Sequence, residues 1–420
     1  MKVRVVIVGG GVMGVSIAWH AARRFDPIDE PVVLLEKTTL GAGSSGRSGA
    51  ILRQHYSDRV VAAMARDSLR VYTGFEAQTG RSIGFQRMGV ITLAGPDRPA
   101  DIELVRKNVA MQQEIGIDTR LVGAAEIRAL APGITVREGT VGAYEPGGGG
   151  VDPLRTVEAF AALARENGAS VRPGTRVTRI DVRGGRIRGV DTDHGHLEAE
   201  QVVVASGPWS RALCAALDLE LPLQVLRPEQ HFVTLPPSPA AAMQTEASAR
   251  ASDLFEDRFA PQRLPPAAHP VLLDLEHGFY TRCEGHAART RVGKMDYHGD
   301  HVIEDPDAVD EHVGDEFRRW ARAKLESRLP VYRDQHDAGD TVGMYTVSPD
   351  AQALIGPVRG IEGLFLVTGF SGHGFKLAPS VGEGVTQMLR GEPVSAFDVA
   401  FFAPERFASA ERREPRAFGL

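Results

Sequence analysis

Hydrophobic positions along the chain change their period several times, and the changes mark the elements. Val3 to Val8 is an almost continuous β-branched run, the pattern of a strand buried on both faces of a parallel sheet. After Gly9-Gly10-Gly11-Val12-Met13-Gly14, apolar residues recur at Val15, Ala18, Trp19 and Ala22, one face of a helix whose last turns carry Arg23 and Arg24. Pro31 precedes a second strand, Val32 to Leu35, which ends at Glu36. Thr175 to Ile180 alternates as a strand, and Gly184-Gly185 supplies a hairpin turn. Strand-like alternation also runs through Ile83–Leu93, Leu121–Tyr144 and Leu223–Asp296, while helices are predicted over Asp101–Gly116 and Val309–Leu329. Leu364 to Thr368 reads as a buried strand, with a helix starting near Leu377. Residues 236–268, rich in Pro and Ala between two Pro-Pro pairs, read as a long surface excursion.

The opening strand–turn–helix–strand unit carries the first chemistry. Gly9, Gly11 and Gly14 form G-x-G-x-x-G: the first glycine permits a tight turn, the second lets backbone approach a pyrophosphate, and the third lets the helix pack closely on the strand. The helix N-terminus offers unpaired N–H groups and positive potential to phosphates. Glu36 can accept hydrogen bonds from ribose hydroxyls. The motif specifies an adenine dinucleotide and leaves NAD and FAD both open.

Composition narrows the setting. A chain of 420 residues is too long for one core and suits two or three domains. With 43% apolar and 24% charged residues it reads as an ordinary soluble protein. A net charge of -6 argues against a nucleic-acid binder. The two cysteines, Cys214 and Cys283, lie far apart, so neither a disulfide framework nor a structural metal site is expected, and a reducing compartment fits. The N-terminal apolar run is too short for a signal peptide, and no stretch approaches the roughly 18 apolar residues of a membrane span. The cytoplasm is the expected location.

The segment after Glu36, E-K-x-x-L-G-x-G-S-S-G-R-S-G-A, resembles the D-amino-acid-oxidase superfamily of flavoproteins, and within it the sarcosine oxidase, sarcosine dehydrogenase and glycine oxidase branch. Val151-Asp152-Pro153-Leu154, Gln201 to Ser210, Gly343 to Asp350 and Gly369-Phe370-Ser371-Gly372-His373-Gly374-Phe375-Lys376 carry the same likeness. The resemblance implies a mixed α/β and α+β fold, a Rossmann-like FAD-binding domain of the glutathione-reductase type with a discontinuous antiparallel-sheet substrate domain. Residues 1–80, 145–215 and 340–395 would form the first, 81–144 and 216–339 the second, and 396–420 a C-terminal tail.

It also implies FAD as cofactor, held by Gly9, Gly11, Val12, Met13, Gly14, Glu36, Lys37, Ser44, Ser45, Arg47, Ser48, Gly49, Val177, Ser206, Gly207, Trp209, Gly343, Gly372, His373, Gly374, Phe375 and Lys376. The implied reaction takes a hydride from the carbon beside an amine, giving an imine, with oxygen or another acceptor reoxidising the flavin. Arg53 with Lys376 would clamp a substrate carboxylate, and Tyr345 would stand beside the flavin. His55, Tyr56, His277 and Tyr280 are weaker candidates for the same pocket, each with an ordinary structural role as the favoured reading. Three positions depart from the family. Its flavin-linking cysteine falls at Gly343 and its flavin-linking histidine near Arg47, so FAD is expected without a covalent link. Its oxygen-activating lysine falls at Arg291; Lys294, at an odd offset, would lie on the opposite strand face. An NAD(P)H-dependent FAD monooxygenase and a catalytically silent FAD-binding assembly protein are the alternatives.

Overall fold

The computed structural model describes residues 3–236, 269–296 and 301–407. Val3–Val8 lies at the centre of a parallel sheet, between Val32–Glu36 and Gly195–Val204, with Ser170–Pro173 and Leu364–Thr368 as the next strands outward. Its unbroken apolar run has a direct cause. Val5 and Ile7 pack into a helical layer, whereas Val6 and Val8 pack into a layer with Ile180, Ile187 and Val190 of the hairpin Val177–Arg183/Arg186–Thr192. Gly184 and Gly185 turn that hairpin, both with φ positive.

The helical layer is built from Val12–Ala22, Arg59–Thr79, Pro153–Glu166 and Gly374–Leu389 around Trp19, Tyr72, Phe75 and Phe160. Trp19 stacks on Phe160 with centroids 5.1 Å apart. The last helix begins three residues before its predicted start and contains Pro379. That proline has no N–H for the Phe375 carbonyl, and the Tyr72 hydroxyl donates to it instead at 2.6 Å. A sequence reading that starts the helix after Lys376 misses this repair, because it comes from another helix.

A second sheet of eight strands runs in the order Asp337–Val342, Glu229–Thr234, Arg289–Lys294, Phe279–Glu284, Val271–Asp274, Val90–Ala94, Val141–Glu145, Arg120–Gly123. All its pairings are antiparallel except Val271–Asp274 with Val90–Ala94. The alternation expected through Leu121–Tyr144 is interrupted by a helix, Ala124–Leu130. Ala124, Ile127 and Ala131 are buried at helical spacing, and this local period outweighs the strand-like residues on either side. The helix expected over Val309–Leu329 is confined to Asp315–Arg328, after Gly314. The helix expected over Asp101–Gly116 spans Pro99–Glu114.

The excursion expected at 236–268 falls outside the described residues. Of the expected C-terminal tail, residues up to 407 are packed: Phe397 and Phe402 are buried, and Arg406 grips Asp350 with two bonds of 2.9 Å. Among the described residues no helix is long and apolar enough to cross a membrane.

Candidate active site

The carboxyl ends of Val3–Val8, Val32–Glu36 and Gly195–Val204 open into one cleft of about 810 Å³. Parallel strands direct this, since their loops all emerge at the same edge. Gly9, Gly11, Val12, Met13, Glu36, Lys37, Ser44, Ser45, Arg47, Ser48, Val177, Ser206, Gly207, Trp209, Tyr345, Gly372, Gly374 and Phe375 all line it. Two helix N-termini, at Val12 and Gly374, meet there, so two positive dipole ends face one space. Ser45 Oγ accepts from the Val12 amide at 2.9 Å. Gly14 lies behind the turn, where an added Cβ would collide with the Gly9 carbonyl oxygen. The Glu36 carboxylate accepts from Gly10 N at 2.8 Å and Thr38 N at 2.9 Å, and keeps lone pairs for further donors. The volume of the cleft, its glycine approach, its two helix ends and the Glu36 carboxylate fit a dinucleotide of the FAD type.

Next in sequence to the lining residues Gly374 and Phe375, Lys376 belongs to a buried charged cluster that does not itself line the cleft. Arg53, at the end of the short strand Ile51–Leu52, places its guanidinium 4.2 Å from the Tyr56 ring centroid. Its Nη1 donates to the His55 carbonyl. Lys376 Nζ stands 6.0 Å from the same ring, and His373 packs edge-on against it at 5.6 Å. Arg53 and Lys376 are both buried. Burial, and then Arg53, push the Lys376 ammonium well below the usual lysine range. The same burial lowers His373, with Lys376 and Arg53 adding to it. His55 is brought down to about 3 by burial, and the Tyr56 phenol rises to about 12 for the same reason. Both histidines are therefore neutral.

One buried carboxyl group faces Arg53 and Lys376. Glu145, fully buried, accepts from Gln54 N at 2.6 Å and His55 N at 3.1 Å. Burial raises its carboxyl, against the pull of the Gln54 amide and Arg53. The sequence reading missed Glu145; its signal was an acid closing a predicted strand just before Pro146 and four glycines.

A second cluster sits across Gly49. An added Cβ there would lie 3.4 Å from Arg291 and 3.8 Å from Tyr280. Arg291 Nε donates to Glu284 Oε1 at 2.6 Å, and its Nη1 donates to the Arg47 carbonyl at 3.0 Å and to Gln230. Burial alone would raise the Glu284 carboxyl, but Arg291, Arg282 and Arg289 together bring it to about 2. Tyr280 is buried and hydrogen-bonds to Tyr345; burial, then that partner, raises its phenol well above 10.0. Arg282 spans to the Gly49 and Val151 carbonyls. Glu284 and Gln230 were not singled out from the sequence, although Tyr280-x-Arg282-x-Glu284 alternates onto one face.

The remaining candidates separate. Lys294 lies with Phe317 and Trp320, about 6 Å from each ring and on the other side of the sheet from Arg291. His277 is tied to Asp274 at 2.9 Å and to Arg328 at 2.7 Å, in a turn of the second sheet. Gly343 is backbone-bonded to Pro228 at 2.8 Å and does not line the cleft.

The DAO family profile, described as FAD dependent oxidoreductase, matches residues 4–388. The chain belongs to the DAO family of FAD-dependent oxidoreductases. It is 27% identical to human mitochondrial dimethylglycine dehydrogenase over 97% of this chain but 44% of that one, so it spans under half of that relative's length. It is 26% identical to monomeric sarcosine oxidase of Bacillus sp. (strain B-0618), over 97% of each chain. The fold is also that of L-proline dehydrogenase from P. horikoshii, with a TM-score of 0.82, 24% identity and 99% of each chain covered. The expected recognition, fold class and FAD dependence stand on these likenesses and on the cleft.

Proposed function

We propose that this DAO-family chain oxidises the C–N bond of a small amine or N-alkyl amino acid that carries a carboxylate, releasing the imine. The observation that carries this reading is the pairing of Arg53 and Lys376 around Tyr56, with Lys376 directly following Phe375 of the cleft lining. The Arg53 guanidinium and the Lys376 amine face one buried carboxyl group, Glu145, and a substrate carboxylate adds a negative charge that Arg53 can pair. That carboxylate favours the charged form of Lys376, against the burial that lowers it. Arg53 then fixes the carboxylate by its planar fork, and the pocket walls turn the adjacent carbon toward the cleft. Bound FAD supplies the two-electron acceptor for the hydride.

Gly9, Gly11, Gly14, Glu36, Ser45 and Gly374 are assigned to hold the dinucleotide, with the domain division read from the sequence. The absence of a side chain at Gly343, and the engagement of Arg47 with Glu311 and the Val342 carbonyl, support FAD held without a covalent bond. Oxygen or another acceptor completes the cycle. Both cysteines are free and buried, in keeping with a cytoplasmic protein.

The test begins with the purified protein, whose flavin absorbance should be released by acid. Mixed anaerobically with N-methyl and primary amino acids, it should bleach, and the matching amines without a carboxylate should act far more weakly. Bleaching by NADPH with none by amino acids would overturn the reading in favour of a monooxygenase. No bleaching by either would leave only an FAD-binding protein.

A further inference from the structure

Residues 301–313 start beside the two-stranded sheet of Gln224–Leu226 and Tyr345–Val347, where Val302 bridges Leu226, and reach residues that line the cleft with Glu36. One buried arginine holds both ends of this strap. Arg227 N donates to the His301 carbonyl at 3.0 Å, its Nε donates to the Asp310 carbonyl at 2.7 Å, and its Nη2 donates to His312. Ile303 N adds a bond to the Val225 carbonyl at 2.7 Å. Ile303, Pro306 and Val309 turn inward, half-buried, and the acids between them are exposed.

The middle of the strap reaches the parallel sheet's loops through Asp307. Its Oδ1 accepts from Trp209 Nε1 at 2.9 Å and from Lys37 Nζ, and its Oδ2 lies 3.4 Å from Arg176 Nη1. Lys37 Nζ also sits 3.8 Å from the Trp209 ring centroid. Glu311 accepts from Arg47 Nη2 at 2.6 Å. Lys37, Arg47, Arg176 and Trp209 come from three separate segments of the chain, and all four line the cleft, as Asp307 and Glu311 do. The strap is thus a wall of the dinucleotide site contributed by a segment far along the chain from the glycine turn. Its ends are fixed and its middle is held by exposed ion pairs, which salt screens.

We propose that this strap closes the adenosine end of the FAD site, and that the Asp307 latch onto Lys37, Trp209 and Arg176 sets how fast FAD leaves. The inference rests on the FAD site described above and assigns Asp307 and Glu311 to cofactor retention. Glu36, which ends the second strand, marks this as the adenosine end.

The test uses the FAD-loaded protein and follows release of flavin by its fluorescence after dilution into an excess of flavin-capturing apoprotein. D307N should release FAD about fivefold faster or more, and E311Q should show a smaller increase. Raising ionic strength from about 0.1 M to 1 M should speed release from the wild type and leave D307N little changed. In a K37M background, D307N should add much less than it does alone, which a general loss of folding would not produce. Equal release rates for the wild type and D307N, or wild-type release indifferent to salt, would overturn the latch while leaving the FAD site intact. A wild-type protein whose absorption spectrum shows no FAD overturns the latch and the cofactor reading together.

Discussion

Arg291 and Glu284 form a buried ion pair across neighbouring strands, with Arg291 Nε donating to Glu284 Oε1 at 2.6 Å. The guanidinium is further occupied by Gln230 and the Arg47 carbonyl. Its charge beside Gly49 is therefore tied into the second sheet. Glu284 also faces Arg282 and Arg289, so three arginines share one carboxylate.

Glu284→Gln should destabilise the protein by about 3–5 kcal/mol, because it leaves Arg291 buried without its anion. The double change Glu284→Leu with Arg291→Met should cost much less, since no charge is then left behind. Urea unfolding of the two variants separates these outcomes. Equal losses would mean that packing, and not charge, dominates the site.

The same carboxyl gives the protein an acid limit. It titrates near 2 in the fold against an ordinary 4.5. A depressed acid contributes stability that is complete above its unfolded pKa and is lost as pH falls through the folded one. Glu284 should therefore contribute about 3 kcal/mol above pH 4.5 that disappears toward pH 2. Denaturant midpoints measured across that window should fall more steeply for the wild type than for Glu284→Gln.

Lys376 shifts in the same direction, but for an amine the shift is a cost to the fold. Its folded pKa lies well below the ordinary 10.5, so the unfolded chain binds more protons than the folded one across that gap. Stability should rise with pH through this window. Lys376→Met should remove the rise and stabilise the protein at neutral pH by about 1–2 kcal/mol, while weakening the binding of carboxylate substrates. Thermal unfolding together with substrate titration checks both halves.

Arg53→Ala should cost about 2–4 kcal/mol of carboxylate binding, a rise in KM of roughly 30- to 1000-fold. Arg53→Lys should recover only part, because a single ammonium cannot reproduce the fork. Amine substrates lacking a carboxylate should be indifferent to either change. If they lose as much as amino acids do, Arg53 is holding the pocket together and is not reading the substrate.

Gly14→Ala should destabilise by about 1–3 kcal/mol and impair FAD uptake, because the new methyl meets the Gly9 carbonyl and pushes the helix off its strand. FAD titration of the purified variant, set beside its melting curve, measures the two effects.

The sequence by itself determined what is local. A β-branched run, three spaced glycines, a helical stripe and a terminal acid define the opening unit, because each property is set by residues within a turn or two of one another. The glycine blocks at Leu40–Ala50 and Gly369–Gly374 were legible in the same way, as backbone features that need small residues in fixed order. The tertiary structure decided what depends on long-range pairing. It brought Glu145 under Arg53 and Glu284 against Arg291, and set Tyr72 to satisfy the carbonyl left by Pro379. It also carried Asp307 across to Lys37 and Trp209. The helix Ala124–Leu130 was misread because β-branched residues on either side suggested alternation, and only packing of Ile127 into the sheet's core fixes the helical period. A buried charge or orphaned carbonyl takes its partner from whatever segment the fold lays beside it, and sequence spacing carries no record of that distance.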